Sequence, residues 1–256
     1  MIVCVDIGNT HIAVGGFDGE TLAFVFRIAT DVKKTEDEYA VTLRHALALH
    51  SGECASIEGA IISSVVPALS GIMKKALALA FKVEALTVGP GMKTGINIHC
   101  DVPSSVGADL ICACVAAHHL YGDPSLVIDM GASTNLMVVD EKGAFVGVSI
   151  VPGVHLSLQA LTEKTAQLPQ IDLGETPRAV LGRNTADSMR SGAIYGTAAM
   201  LDGMIDRISR EQGRNLPVIV TGTPADSIVC HCEHKMTYNA HLVLHGLRIL
   251  YSKNTR

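Results

Sequence analysis

One pattern occurs twice in this chain and constrains its fold more than any other feature. Val3-Cys4-Val5-Asp6-Ile7-Gly8-Asn9-Thr10 is an apolar strand that runs into an aspartate, a glycine and a hydroxyl. The chain then turns back through His11 to Phe17 and reaches Asp18-Gly19, a hairpin signal. Leu126-Val127-Ile128-Asp129-Met130-Gly131-Ala132-Ser133-Thr134 repeats that order of residue types. A second strand, Asn135 to Val139, and a polar turn, Asp140 to Gly143, follow it. Either unit alone also fits a strand that ends in a polar turn. Two in one chain point to a duplication, with halves that face each other across a cleft.

The residue types suit a Mg²⁺–phosphate site. A carboxylate at a strand end, Asp6, can bind the metal or its waters. Gly8 lets the backbone approach closely, and Asn9 and Thr10 can donate to phosphate oxygens. Two such hairpins, one per half, can grip one nucleotide.

The 256 residues leave room for two halves of similar size, and 48% hydrophobic content fills their cores. With no Trp and 4% aromatics those cores must be aliphatic. Gly122-Asp123-Pro124 breaks the chain, which gives expected halves 1–122 and 123–256. A formal net charge of -5 without a Lys/Arg block argues against nucleic acid as partner. No apolar run reaches membrane-spanning length and no signal peptide is visible, so no membrane partner and a cytoplasmic location are expected. Seven cysteines, an odd number, fit reduced thiols.

Strands alternate with helices, the sign of an α/β protein with mixed sheets. Thr35-Glu36-Asp37-Glu38 is a capping box that opens a helix expected to end at Gly52. The apolar run Ile57 to Val66 reads as a strand buried on both faces. Further helices are expected from Pro67, over Gly107 to Tyr121, from Pro152-Gly153 to Leu168, and from His241 to Asn254. Thr185 to Gly213 reads as a helix pair or one kinked helix, with Gly192, Gly196 and Gly203 as kinks or close contacts and Thr185 as its N-cap. Ser227 to Val229 reads as a strand. The cluster Cys230-His231-Cys232-Glu233-His234 has the wrong spacing for a closed zinc site and reads as a polar strand end. Cys112 and Cys114 read as small core residues.

Asp6-x-Gly-Asn-Thr10, Gly89-Pro-Gly-x-x-Thr-Gly95, Gly107-Ala-Asp109, Asp129-x-Gly131, Pro152-Gly153 and Gly182-Arg-Asn-Thr185 occur in this order. The ordered set resembles the type III pantothenate kinases, within the acetate and sugar kinase/Hsp70/actin superfamily. The resemblance implies a duplicated ribonuclease H-like/actin-like ATPase fold with two mixed-sheet halves around a nucleotide cleft. It implies ATP-dependent phosphorylation of pantothenate, or of a related small alcohol, as the first step of coenzyme A synthesis. It also implies Mg²⁺, a monovalent cation (K⁺ or NH₄⁺) and a homodimer.

Carried over residue by residue, the resemblance places Asp6, Gly8, Asn9 and Thr10 at ATP phosphates and Mg²⁺. Ala132, Ser133 and Thr134 lie at the nucleotide, and Asp129 binds the monovalent cation. Asp109 is the general base. Cys100, Gly107, Ala108, Leu110 and Thr185 contact the alcohol, Thr185 from the neighbouring subunit. The resemblance also shows departures. The family pattern has Arg where this chain has Leu110, Tyr at Cys100 and Asn at Val102. A different class of function follows from these losses: a kinase-fold subunit that partners or regulates a complete paralogue, in a heteromer.

Overall fold

The computed structural model describes residues 1–51, 56–174 and 176–255. The chain divides into two compact units, Met1–Leu120 with Leu242–Arg256, and Tyr121–His241.

The first unit opens with an antiparallel meander, β1 (Ile2–Ile7), β2 (His11–Asp18) and β3 (Thr21–Ala29). Helix α1 (Glu36–Ser51), β4 (Gly59–Ser64), α2 (Pro67–Phe81), β5 (Ala85–Thr87), the short β6 (Asn97–Ile98) and α3 (Ala108–Tyr121) follow. The sheet order is β3-β2-β1-β4-β5, with β4 and β5 parallel to β1. Side chains alternate across a strand, so β1 serves two layers. Val3, Val5 and Ile7 pack with Ile12, Val14, Ala60 and Ile62 against Tyr39 and Leu43 of α1 and Leu69, Met73 and Leu77 of α2. Cys4 and Asp6 turn to the opposite face, as do Ile61 and Ser63 of β4.

The capping box is present: the Thr35 N–H donates to Glu38 Oε2 at 2.8 Å and the Glu38 N–H to Thr35 Oγ1 at 3.4 Å. Lys74 and Lys75 lie exposed on α2, as its pattern requires. The expected helix end at Gly52 lies outside the described residues.

The second unit repeats the topology. Strands β7 (Ser125–Met130), β8 (Ser133–Val139) and β9 (Ala144–Pro152) form its meander. Helix α4 (Val154–Lys164), α5 (Thr185–Glu211), β10 (Val218–Thr221), α6 (Ala225–Val229) and β11 (Thr237–Tyr238) complete it. Its strands run in the order β9-β8-β7-β10-β11, with β10 parallel to β7. β7 therefore occupies the place of β1, and β10 that of β4.

Four expectations need correction. Helix α7 (Leu242–Asn254) packs on β1, β2 and β4, so residues 242–256 belong with the first unit and not with a half 123–256. Its fit is close: a Cβ at Gly246 would stand 1.9 Å from the Cys112 carbonyl oxygen, and Leu244 lies against Gly15. Residues Ser227 to Val229 are helical, because Ala225 and Ile228, three apart, both enter the core. Helix α5 is one continuous helix whose N-cap is Asn184, not Thr185; Asn184 Oδ1 accepts from the Asp187 N–H at 2.8 Å. A Cβ at Gly192 or Gly196 meets nothing within 4 Å, so neither is a close contact within the chain.

Candidate active site

Asp6 sits second from the end of β1, with Ala13 of β2 on one side and Ser63 of β4 on the other. The chain then turns through Gly8, Asn9 and Thr10. The Gly8 N–H donates to the His11 carbonyl at 3.0 Å, and a Cβ at Gly8 would stand 3.1 Å from that oxygen. Thr30 secures the turn from β3: its hydroxyl donates to the Gly8 carbonyl at 2.7 Å and its N–H to the Thr10 carbonyl at 3.0 Å. Asn9 and Thr10 are exposed, with side chains available to a ligand.

Asp109 stands in the first turn of α3. Burial raises its carboxyl pKa above the ordinary 3.8, and the Leu110 N–H, 2.9 Å from Oδ1, offsets part of that rise. Cys112, one turn later, is fully buried. Burial holds its thiol well above the usual range, and the charges of Asp6 and Asp109 push it further, while Ser63 acts in the opposite sense. Both carboxylate charges thus act on Cys112. Asp6 itself lies at the carboxyl end of the parallel strands β1 and β4, where open α/β sheets bind ligands. Leu110 is 7% exposed. Gly107 and Ala108 are half-buried at the entry to α3, Cys100 is half-buried in the preceding segment, and Val102 is exposed.

In the second unit Asp129 is second from the end of β7, between Asn135 of β8 and Thr221 of β10. Its turn, Gly131-Ala132, is one residue shorter than Gly8-Asn9-Thr10, so the first hydroxyl, Ser133, falls inside β8. Ser133 Oγ donates to Asn135 Oδ1 at 3.2 Å. Ala132 is exposed and Ser133 half-buried, whereas Thr134 is 1% exposed and alternation turns it to the side of Leu136 and Val138. The placement of Thr134 at the nucleotide therefore does not hold for its side chain; its backbone remains part of the hairpin. Two glycines lie under this turn. A Cβ at Gly153 would stand 2.2 Å from the Gly131 carbonyl oxygen, and one at Gly222, at φ +104, would stand 2.0 Å from that of Met130.

Thr185 is exposed at the start of α5 and lines an apolar groove of about 490 Å³ between α4 and α5, with Pro152, Leu158, Met189 and Gly196. Among the described residues no three His, Cys, Asp or Glu side chains group to hold a metal ion. Cys232 is half-buried, its thiol pushed up to about 12 mainly by burial, and His234 Nε2 pairs with Asp206 Oδ1 at 3.0 Å. The Cys230–His234 cluster is thus tied to α5. Asp6 and Asp129, hard oxygen donors beside open glycine turns, fit cations that also bind phosphate or water.

The family model described as type III pantothenate kinase matches residues 2–207. A type III pantothenate kinase of Frankia alni is 40% identical over 99% of this chain and 100% of its own length. The chain belongs to the type III pantothenate kinase family. Another relative of that description, from Halalkalibacterium halodurans, is 40% identical over the same shares. In fold the chain is similar to the inorganic polyphosphate/ATP-glucomannokinase of Arthrobacter sp. strain KM, with TM-score 0.51 and 13% identity over 98% of each chain. The family's fold is the actin-like ATPase fold of two mixed sheets, as expected. No helix among the described residues is long and apolar enough to cross a membrane.

The sequence reading missed the partners of the two aspartates. Ser63 and Thr221 occupy matching places on β4 and β10, each beside the aspartate of its unit. The signal was present, since both buried strands end in hydroxyl residues, but it emerges only when the parallel register is known.

Proposed function

We propose that this chain transfers the γ-phosphoryl group of ATP to the primary hydroxyl of pantothenate, giving 4′-phosphopantothenate and ADP. Family membership over the full length supports the substrate. The observation that carries the chemistry is the Asp109 carboxyl in the first turn of α3, its Oδ1 2.9 Å from the Leu110 N–H and its pKa raised by burial. Asp109 accepts the hydroxyl proton as the alcohol oxygen bonds to phosphorus and the bridging oxygen leaves with ADP. Its raised pKa makes it a stronger base than an exposed aspartate, and phosphoryl transfer otherwise depends on positioning and charge stabilisation.

Asp6, Gly8, Asn9 and Thr10 hold the phosphate end, with Asp6 toward Mg²⁺ and its waters. Mg²⁺, when bound, offsets negative charge on the phosphates. The second hairpin, through Gly131, Ala132 and Ser133, takes the other side of the nucleotide, and Asp129 holds K⁺ or NH₄⁺. Cys100, Gly107, Ala108 and Leu110 line the alcohol. Thr185 reaches the alcohol site of a second copy in a homodimer.

A second reading is favoured by one observation. Leu110 is buried and apolar, and residues 94–117 contain neither Lys nor Arg. A substrate carboxylate beside Leu110 gains no charge-assisted hydrogen bond from that side chain, a contribution worth about 1.5–3 kcal/mol. On this reading the chain is a subunit whose acceptor site is weak and which completes the site of a paralogue. Calorimetry with pantothenate and a non-hydrolysable ATP analogue separates the two. Tight binding to the purified chain supports the kinase. Weak binding restored by Leu110→Arg with Cys100→Tyr supports the partner.

A further inference from the structure

The segment from Gly89 to Gly107 joins β5 to α3 and carries Cys100 before it delivers Asp109. It contains only two residues of regular strand, β6, and one 3₁₀ turn over Pro103–Ser105. Away from β6, a segment so poor in ladder bonds depends on side-chain contacts for its place. The structure shows where this happens in the first unit. Asn254, the last residue of α7, makes a two-point bond to the backbone of Lys93. Its Oδ1 accepts from the Lys93 N–H at 2.9 Å, and its Nδ2 donates to the Lys93 carbonyl at 3.0 Å. The same Nδ2 donates to the Leu250 carbonyl at 2.8 Å, which fixes the amide's orientation on the helix.

A second contact lies two residues on. Gly95 has φ +80, and a Cβ there would stand 2.8 Å from Lys253 Nζ and 2.9 Å from its Cε. The last turn of α7 therefore bonds this segment at residue 93, and Lys253 lies over it at residue 95. The helix is itself fixed, by Leu244 on Gly15, by Gly246 on the Cys112 backbone and by Tyr251 on Gly59. Gly15 and Gly59 belong to β2 and β4, which flank β1 and its Asp6, and Cys112 is one turn from Asp109.

We propose that Asn254 is a positioning residue for the acceptor alcohol. It registers the 89–107 segment on the body that carries Asp6 and Asp109, although it touches no substrate itself. The proposal rests on the assignment of Cys100 and Gly107 to Leu110 to the alcohol. Its consequence is selective. Loss of the clamp loosens the segment between its ends, so the apparent affinity for the alcohol falls. The Asp6 turn is secured separately by Thr30, so the affinity for ATP stays.

The experiment compares Asn254→Leu, Asn254→Asp and Thr255→Val in the full chain. Asn254→Asp retains the acceptor for the Lys93 N–H but loses the donor to its carbonyl. Thr255, just past the end of α7, donates its hydroxyl to the Tyr251 carbonyl at 2.9 Å and serves as control. Steady-state kinetics are measured with pantothenate and ATP varied separately, beside hydrogen exchange of the peptide over residues 89–107. For Asn254→Leu the expected result is faster exchange in that peptide and a five- to twenty-fold rise in the pantothenate KM. The ATP KM and kcat should stay within twofold, with Asn254→Asp intermediate and Thr255→Val unchanged. An unchanged pantothenate KM in Asn254→Leu overturns the proposal, as does an equal rise in both KM values. If Asn254→Leu unfolds, Asn254→Asp is decisive on the same criteria. Asp109→Asn, assayed alongside, reports separately on the site assignment: unchanged kcat there condemns the site, whatever the clamp does.

Discussion

Asp6 and Asp129 hold the same position in two copies of one topology. Each is second from the end of the first strand of its unit, and each is paired across the parallel neighbour with a hydroxyl residue, Ser63 and Thr221. Their outer neighbours differ: Ala13 flanks Asp6, whereas Asn135 flanks Asp129. The polar amide suits a second cation ligand beside Asp129. Asp129→Ala should therefore abolish activation by K⁺ and weaken ATP binding, while Asp6→Ala should weaken Mg²⁺-dependent binding in K⁺ and Na⁺ alike. Titrations of ATP in the two salts measure this. Equal ATP affinity of the unmutated chain in K⁺ and in a large organic cation would count against Asp129 as the cation ligand.

Asp109→Asn should lower kcat by about 10²- to 10⁴-fold, the usual range for a lost general base, with little change in ATP binding. Rapid-quench kinetics isolates the chemical step. An Asn variant with full kcat removes Asp109 from the mechanism.

The raised pKa of Asp109 has two pH signatures. The base must be ionised, so the acid limb of kcat/KM should lie above pH 3.8, the ordinary aspartate value. Stability runs the other way. A carboxyl whose folded pKa exceeds its unfolded value stabilises the fold fully below the unfolded value, and that contribution is lost as pH rises through the folded one. At neutral pH the buried charge is thus a cost. Asp109→Asn should melt at the same temperature as the unmutated chain or higher at pH 7, and this difference should vanish in acid. A lower melting temperature at pH 7 would contradict the desolvation argument.

Gly153 and Gly222 support the second hairpin from below, where neither leaves room for a methyl group. Gly153→Ala and Gly222→Ala should each destabilise by about 1–3 kcal/mol, the range for overpacking against backbone. Both should raise the ATP KM more than the pantothenate KM. Urea unfolding checks the first effect and initial-rate kinetics the second.

Asn184 caps α5 through the Asp187 N–H, and its own amide donates to Asp187 Oδ2 at 2.7 Å. Asn184→Ala should cost about 1 kcal/mol of stability. Because Thr185 follows directly, the same change should raise the pantothenate KM if Thr185 serves the acceptor site.

Much of this was legible in the sequence because it depended on local pattern. The hairpins at Asp6 and Asp129, the capping box at Thr35 and the buried β4 run each follow from a few adjacent residues. Thr185 missed the N-cap by one position, because two capping residues stand side by side and only Asn184 can reach the Asp187 N–H. Ser227 to Val229 was misread because three residues cannot show a period; the burial of Ala225 and Ile228 supplies it. Thr134 was placed at the nucleotide by motif order, but the two-residue turn at Gly131-Ala132 shifts the strand register and sends its side chain inward. The return of α7 to the first unit was invisible, since it depends on Gly15, Gly59 and Gly246, whose role is to leave space. The clamp of Asn254 on Lys93 follows from that return.

Incubation of the purified chain alone with ATP, Mg²⁺, K⁺ and pantothenate, with the product identified by mass spectrometry, is the most direct test of the account. The expected result is 4′-phosphopantothenate with an equal amount of ADP, lost in Asp109→Asn. No phosphorylated product from the chain alone, with product restored only when Leu110→Arg and Cys100→Tyr are introduced, would contradict it.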